Sequence, residues 1–149
     1  MATTALTVLG VVAESATAED SDPFLLANKF SGQCLAVHQN DAPAIQDDCH
    51  PESRDQYWRY RRLGDGTSQI VNTFTGKCLA VHSSKDNNAP VIQADCHPEL
   101  ADQHWYVDDS GTITNGHSGK CLAVHHQDAP VFQYTCFPAF GDQYWYILP

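Results

Sequence analysis

The 149-residue sequence predicts an all-β protein made of three repeated units. Nine Gly and eight Pro are scattered singly, and no apolar period of 3.6 persists over three turns, so short strands and turns are expected in place of helices. An eleven-residue block recurs three times, at steps of 44 and 43 residues. Six cysteines fall in pairs, one pair inside each copy.

The block runs Asn28-Lys29-Phe30-Ser31-Gly32-Gln33-Cys34-Leu35-Ala36-Val37-His38 in the first copy. It returns from Asn72 to His82 and from Asn115 to His125. Each copy continues through Ala-Pro-(Ala/Val)-(Ile/Phe)-Gln at 42–46, 89–93 and 129–133, then a second Cys. The copies close on Asp55-Gln56-Tyr57-Trp58, Asp102-Gln103-His104-Trp105 and Asp142-Gln143-Tyr144-Trp145. In the first copy this pattern predicts strands near Phe24–Ala27, Gln33–Val37, Ala44–Asp48 and Tyr57–Arg61, with equivalents in the others. Gly64-Asp65-Gly66 and Asp108-Asp109-Ser110-Gly111 mark the reversals between copies. The repeats span about 24–67, 68–110 and 111–149 of one domain, residues 19–149. Three units with no residual segment predict a closed threefold body, which removes exposed strand edges.

Leu35, Leu79 and Leu122 alternate with Ala36, Ala80 and Ala123, and then with Val37, Val81 and Val124. Leu and Val are therefore expected inside, with Ala on the outer face. Trp58, Trp105 and Trp145 recur in register as bulky core anchors. Threefold repetition singles out Cys34–Cys49, Cys78–Cys96 and Cys121–Cys136 from the pairings that six cysteines allow. Disulfides closing such loops contribute about 3 kcal/mol apiece on chain-entropy grounds. Zinc would need Cys and His bunched more closely.

Residues 1–18 read as a secretory signal peptide, or else as an N-terminal tail: apolar from Ala5 to Val12, then Ala16-Thr17-Ala18 before Glu19. The apolar run is too short to span a bilayer, so no membrane insertion is expected. Secretion agrees with the disulfides. The formal charge is −10, and removing 1–18 takes away only Glu14. An acidic surface whose one basic cluster is Arg59, Arg61 and Arg62 excludes nucleic acid and anionic membranes as partners.

Gly-x-Cys-Leu-x-Val followed by Gln-x-Trp, three times over residues 24–149, resembles the ricin B-chain-type β-trefoil lectins, also called carbohydrate-binding module family 13. The resemblance implies a β-trefoil of twelve short strands, a six-stranded barrel capped by three hairpins, with a shallow sugar pocket in each lobe. It also implies an Asp two residues after the first Cys, an aromatic two residues before the second, and a polar pair at the Gln of Gln-x-Trp. A carboxylate accepts hydrogen bonds from sugar hydroxyls, while an aromatic face covers the apolar side of the ring. Here the Asp position holds Ala36, Ala80 and Ala123, and the aromatic position holds Asp47, Ala94 and Tyr134. Weak binding is therefore expected in the third repeat, through Tyr134, Asp142, Gln143, His125 and Asp128. Weaker candidates are His38, Asp41, Asp55 and Gln56 in the first repeat, and His82, Asp102 and Gln103 in the second.

His38, His82 and His125 lie at the outer ends of separate lobes in that fold, so no shared metal and no cofactor are expected. The chain lacks the Gly-x-Ser-x-Gly and His-Glu-x-x-His patterns, and its carboxylate pairs carry no specificity, so no catalytic residue is assigned. The expected role is a secreted glycan- or polysaccharide-binding protein. The alternatives are an interaction scaffold that has lost sugar binding, and an accessory subunit that brings a separately encoded enzyme to polysaccharide.

Overall fold

A computed structural model describes residues 19–40 and 42–148. The expected signal segment 1–18 and the candidate site residue Asp41 lie outside these residues. Thirteen strands are found among the described residues. A short β1 (Glu19–Asp20) precedes four strands in each repeat. These are β2 (Phe24–Asn28), β3 (Cys34–Val37), β4 (Ala44–Asp47) and β5 (Tyr57–Arg62); then β6 (Ser68–Asn72), β7 (Cys78–Ala80), β8 (Ile92–Ala94) and β9 (Trp105–Val107); then β10 (Ile113–Asn115), β11 (Cys121–Ala123), β12 (Phe132–Tyr134) and β13 (Trp145–Leu148). The first repeat's strands match their expected limits to within one residue. The addition is β1, which pairs with β5 through Asp20 opposite Arg61. Arg61 Nε donates to Asp20 Oδ1 at 2.9 Å and Arg59 donates to the Ser21 carbonyl, so two members of the basic cluster are engaged within the fold.

The barrel wall runs from β13 to β2, β5, β6, β9 and β10, all antiparallel. It closes where the Trp145 N–H donates to the Gly111 carbonyl at 2.9 Å. Gly111 sits at φ +107°, and a Cβ there would meet the Trp145 oxygen at 2.7 Å. Gly111→Ala is therefore expected to lower the urea midpoint by the equivalent of about 1–3 kcal/mol at unchanged slope, through backbone strain at the seam.

The hairpins β3–β4, β7–β8 and β11–β12 cap one end of the barrel. They meet in a ring of three backbone bonds, each passing from one repeat to another. Ala44 N donates to Val91 O (2.9 Å), Val91 N to Val131 O (3.1 Å) and Val131 N to Ala44 O (3.3 Å). The Gln that ends each Ala-Pro-x-x-Gln forms a second tie between repeats. Gln46 Nε2 donates to His126 O, Gln93 Nε2 to Gln39 O, and Gln133 Nε2 to Ser84 O. Their carbonyls accept from Ser31, Thr75 and Ser118 of their own repeats.

The larger of two core clusters among the described residues packs Leu35, Leu79, Leu122, Val37, Val81 and Val124 against Trp58, Trp105 and Trp145. Each indole N–H donates to the carbonyl of its repeat's Leu, at 2.9–3.1 Å, so the ring's polar atom is satisfied in the core. The disulfides are Cys34–Cys49, Cys78–Cys96 and Cys121–Cys136, with Cα atoms 5.0–5.2 Å apart. The alternation places Ala36, Ala80 and Ala123 on the outer face, yet each is at most 1% exposed. Their cross-strand partners Ile45, Ile92 and Phe132 fill the space beside them, which corrects the expectation of alanines open to a pocket.

Candidate functional site

Each Gln-x-Trp begins at a single 3₁₀ turn, Arg54–Gln56, Ala101–Gln103 or Gly141–Gln143. The turn fixes the corner that follows the second Cys. Gln143 accepts from Phe137 N and donates to Thr135 O, both at 2.8 Å. Gln56 and Gln103 do the same with His50 and Asp48, and with His97 and Asp95. All three are at most 2% exposed, so these amides are committed to holding the corner and offer no free polar atom to solvent. The residue between Gln and Trp braces the same corner. Tyr57 and Tyr144 hydroxyls donate to Pro51 O and Pro138 O, and His104 Nε2 donates to Pro98 O.

In the first and third lobes the His that follows the inner Val stands beside the corner, and opposite it stands the Phe of the next repeat's Asn-x-(Phe/His). In the third lobe, Phe30, His125, Phe140, Gly141 and Asp142 line a hollow of about 320 Å³. In the first, His38, Gln39, Glu52, Arg54, Asp55 and Phe74 line one of about 400 Å³. In the second, His117 replaces Phe and its Nε2 donates to Ser83 O at 3.0 Å. Ser83 N in turn donates to Asp102 Oδ2 at 3.2 Å, so Asp102 is buried and its carboxylate engaged there.

The third-lobe hollow differs from the first in its aromatic wall. Arg54 stands over one side of the Phe74 ring, 5.5 Å from its centroid, and Phe74 is 46% exposed. The position equivalent to Arg54 is Gly141 in the third lobe, and the facing Phe30 is 61% exposed. His125 stacks on Phe132, centroids 4.1 Å apart and planes at 25°, and donates from Nε2 to Asn88 Oδ1 at 3.1 Å. Asp142 is half-buried, and the desolvation raises its carboxyl pKa above the ordinary value, against the opposing pull of His125.

The structure thus gathers His125 and Asp142 and leaves the other three candidates of that repeat outside the hollow's lining. Gln143 lies behind the wall. Asp128 Oδ1 accepts from Gln33 Nε2 and its N–H donates to Gln33 Oε1, both at 2.7 Å, which locks the third repeat to the first. Tyr134 stands beside the hollow, edge-on to Phe132 with centroids 6.2 Å apart. Phe30, Phe74 and His117 were not anticipated as wall residues. The signal was present as a repeated Asn-x-(aromatic), but it belongs to the neighbouring repeat. Among the described residues, no group of three His, Cys, Asp or Glu could hold a metal ion.

Residues 22–145 match the ricin-type β-trefoil lectin domain. The chain belongs to that family. ThreeFoil, a designed threefold-symmetric protein, shares 29% identity at a TM-score of 0.77, with 85% of this chain and 98% of that one covered. The hemolytic lectin CEL-III shares 26% identity at a TM-score of 0.70, covering 85% of this chain and 30% of its own. An exo-β-1,3-galactanase from Clostridium thermocellum shares 25% identity at a TM-score of 0.73, with 86% and 30% covered. This ricin-type domain therefore spans under a third of those two larger chains. No curated protein sequence matches the chain significantly.

Proposed function

We propose that this ricin-type domain is a secreted carbohydrate-binding protein that takes a sugar in the third-lobe hollow and performs no catalysis itself. The observation that carries this reading is the open Phe30 face opposite His125 and Asp142, with Phe140 as a further 44%-exposed ring on the rim. Asp142 accepts hydrogen bonds from hydroxyls, His125 adds a donor or acceptor, and the phenyl rings cover the C–H face. Gln143 and Asp128 hold the frame, and Tyr134 extends the aromatic surface beyond the rim. The first lobe, with His38, Asp55 and Gln56, is a weaker site because Arg54 competes for one side of the Phe74 ring. The second, with His82, Asp102 and Gln103, is weaker still because its carboxylate is bonded. Three disulfides suit an oxidising, extracellular setting. A second reading, an accessory module delivering a separate enzyme to polysaccharide, draws support from the likeness to part of a galactanase.

A glycan array followed by calorimetric titration tests the proposal. Asp142→Asn is expected to weaken binding by about tenfold or more, because it removes a charged acceptor worth about 1.5–3 kcal/mol. Wild-type affinity should fall as pH drops through the Asp142 pKa, which burial raises above the ordinary aspartate value, since only the carboxylate accepts freely. Retention of no glycan on the array would leave the domain as an interaction scaffold.

A further inference from the structure

The three lobes share one corner backbone, so they serve as controls for one another. In the first and second lobes the corner carries His50 beside Glu52 at 3.7 Å, and His97 beside Glu99 at 3.6 Å. In the third these positions are Phe137 and Ala139. Ser53 and Leu100 become Phe140, and Asp47 and Ala94 become Tyr134. The fold does not require these rings, because the buried Gln fixes the corner in the same way whether His50, His97 or Phe137 follows the second Cys. Phe137 and Phe140 are nevertheless 42% and 44% exposed. Large rings clustered in solvent without a structural task mark a contact surface.

The rings form a continuous strip. Phe140, on the rim of the hollow, lies 4.8 Å from Phe137, and Phe137 lies 6.2 Å from Tyr134, each step tilted by 44°. We infer that this strip, Phe137 and Tyr134 leading away from Phe140, seats further sugar rings, so that the ligand is a neutral oligosaccharide of two or three pyranoses. The inference rests on the third-lobe hollow proposed above, with which the strip is continuous. Charge argues against acidic sugars: from Tyr134 to Gly141 the segment carries no ionisable group besides the Tyr134 phenol, and it sits on a chain of net charge −10 beside Asp142.

Titration of the full chain with galactose, β-1,3-galactotriose, xylose and β-1,4-xylotriose tests the strip. A trisaccharide is expected to bind about tenfold tighter than its monosaccharide, from added aromatic contact. Phe137→His, the residue of the other two lobes, is expected to erase that gain and leave monosaccharide affinity unchanged. Phe137→Ala is a second variant with the same expected direction, and thermal unfolding verifies that both fold. Equal affinity for one and three rings, or a gain that survives both variants, overturns the strip and leaves the hollow standing. Failure of all four sugars to bind overturns the hollow and the strip together. Sedimentation as a dimer that Phe137→His abolishes would assign the strip to a second copy of the chain and overturn the oligosaccharide reading.

Discussion

Reduction of the three disulfides is expected to unfold the protein. The bonds close separate loops of 15, 18 and 15 residues, so their effects on the unfolded chain combine without overlap. Chain-entropy arguments assign about 3 kcal/mol to each and about 9 kcal/mol to the set, which is comparable to the roughly 5–15 kcal/mol that stabilises a whole domain. The paired strands are short: β7, β8, β11 and β12 have three residues each. They need the covalent tie more than longer strands would. Tryptophan fluorescence in urea, with and without a thiol reductant, measures the loss. Changing Cys78 and Cys96 together to Ser should remove about 3 kcal/mol alone. A reduced protein that melts at the oxidised temperature would contradict this account.

Trp58→Ala is expected to lower stability by about 3–5 kcal/mol, the usual loss for a large aromatic deleted from a core. Trp58 is wholly buried, and its Nε1 donates to Leu35 O at 2.9 Å. Deletion leaves a cavity where three lobes meet and strips that carbonyl of its partner, a further loss of about 1–3 kcal/mol if no water enters. Trp58→Phe retains much of the ring volume and loses the hydrogen bond, so the difference between the two variants separates packing from polar satisfaction. A denaturant midpoint shifted by less than the equivalent of about 1 kcal/mol would show that the ring is not a core anchor.

The disulfide pairing and the Trp core were legible because both follow from residues repeating in register within one copy. Strand positions were legible for the same reason, since period-2 alternation in Cys-Leu-Ala-Val is a local signal. The ties between copies were not. Gln46, Gln93 and Gln133 reach carbonyls in other repeats, and nothing in Ala-Pro-x-x-Gln says where its amide points. Alternation also misjudged the alanines after Cys-Leu, because exposure depends on the neighbour across the hairpin as well as on the side to which a residue points. That Asp142 and His125 lie close together in the third-lobe hollow was readable from their place in the repeat. Phe30 was not, since it lies more than a hundred residues from Asp142 and meets it only when the barrel closes. Gln143 was read as a sugar contact because it is polar and adjacent to Asp142; its burial arises from the corner it holds.

The ring formed by Ala44, Val91 and Val131 has a consequence for assembly. Each repeat offers one N–H and one C=O at that point and can satisfy neither alone, because the partners belong to the other two repeats. Two repeats would leave one donor and one acceptor stranded, whereas three complete the cycle whether or not they share a polypeptide. A single excised repeat, if it folds, should do so as a cyclic trimer, with the covalent links between repeats replaced by concentration.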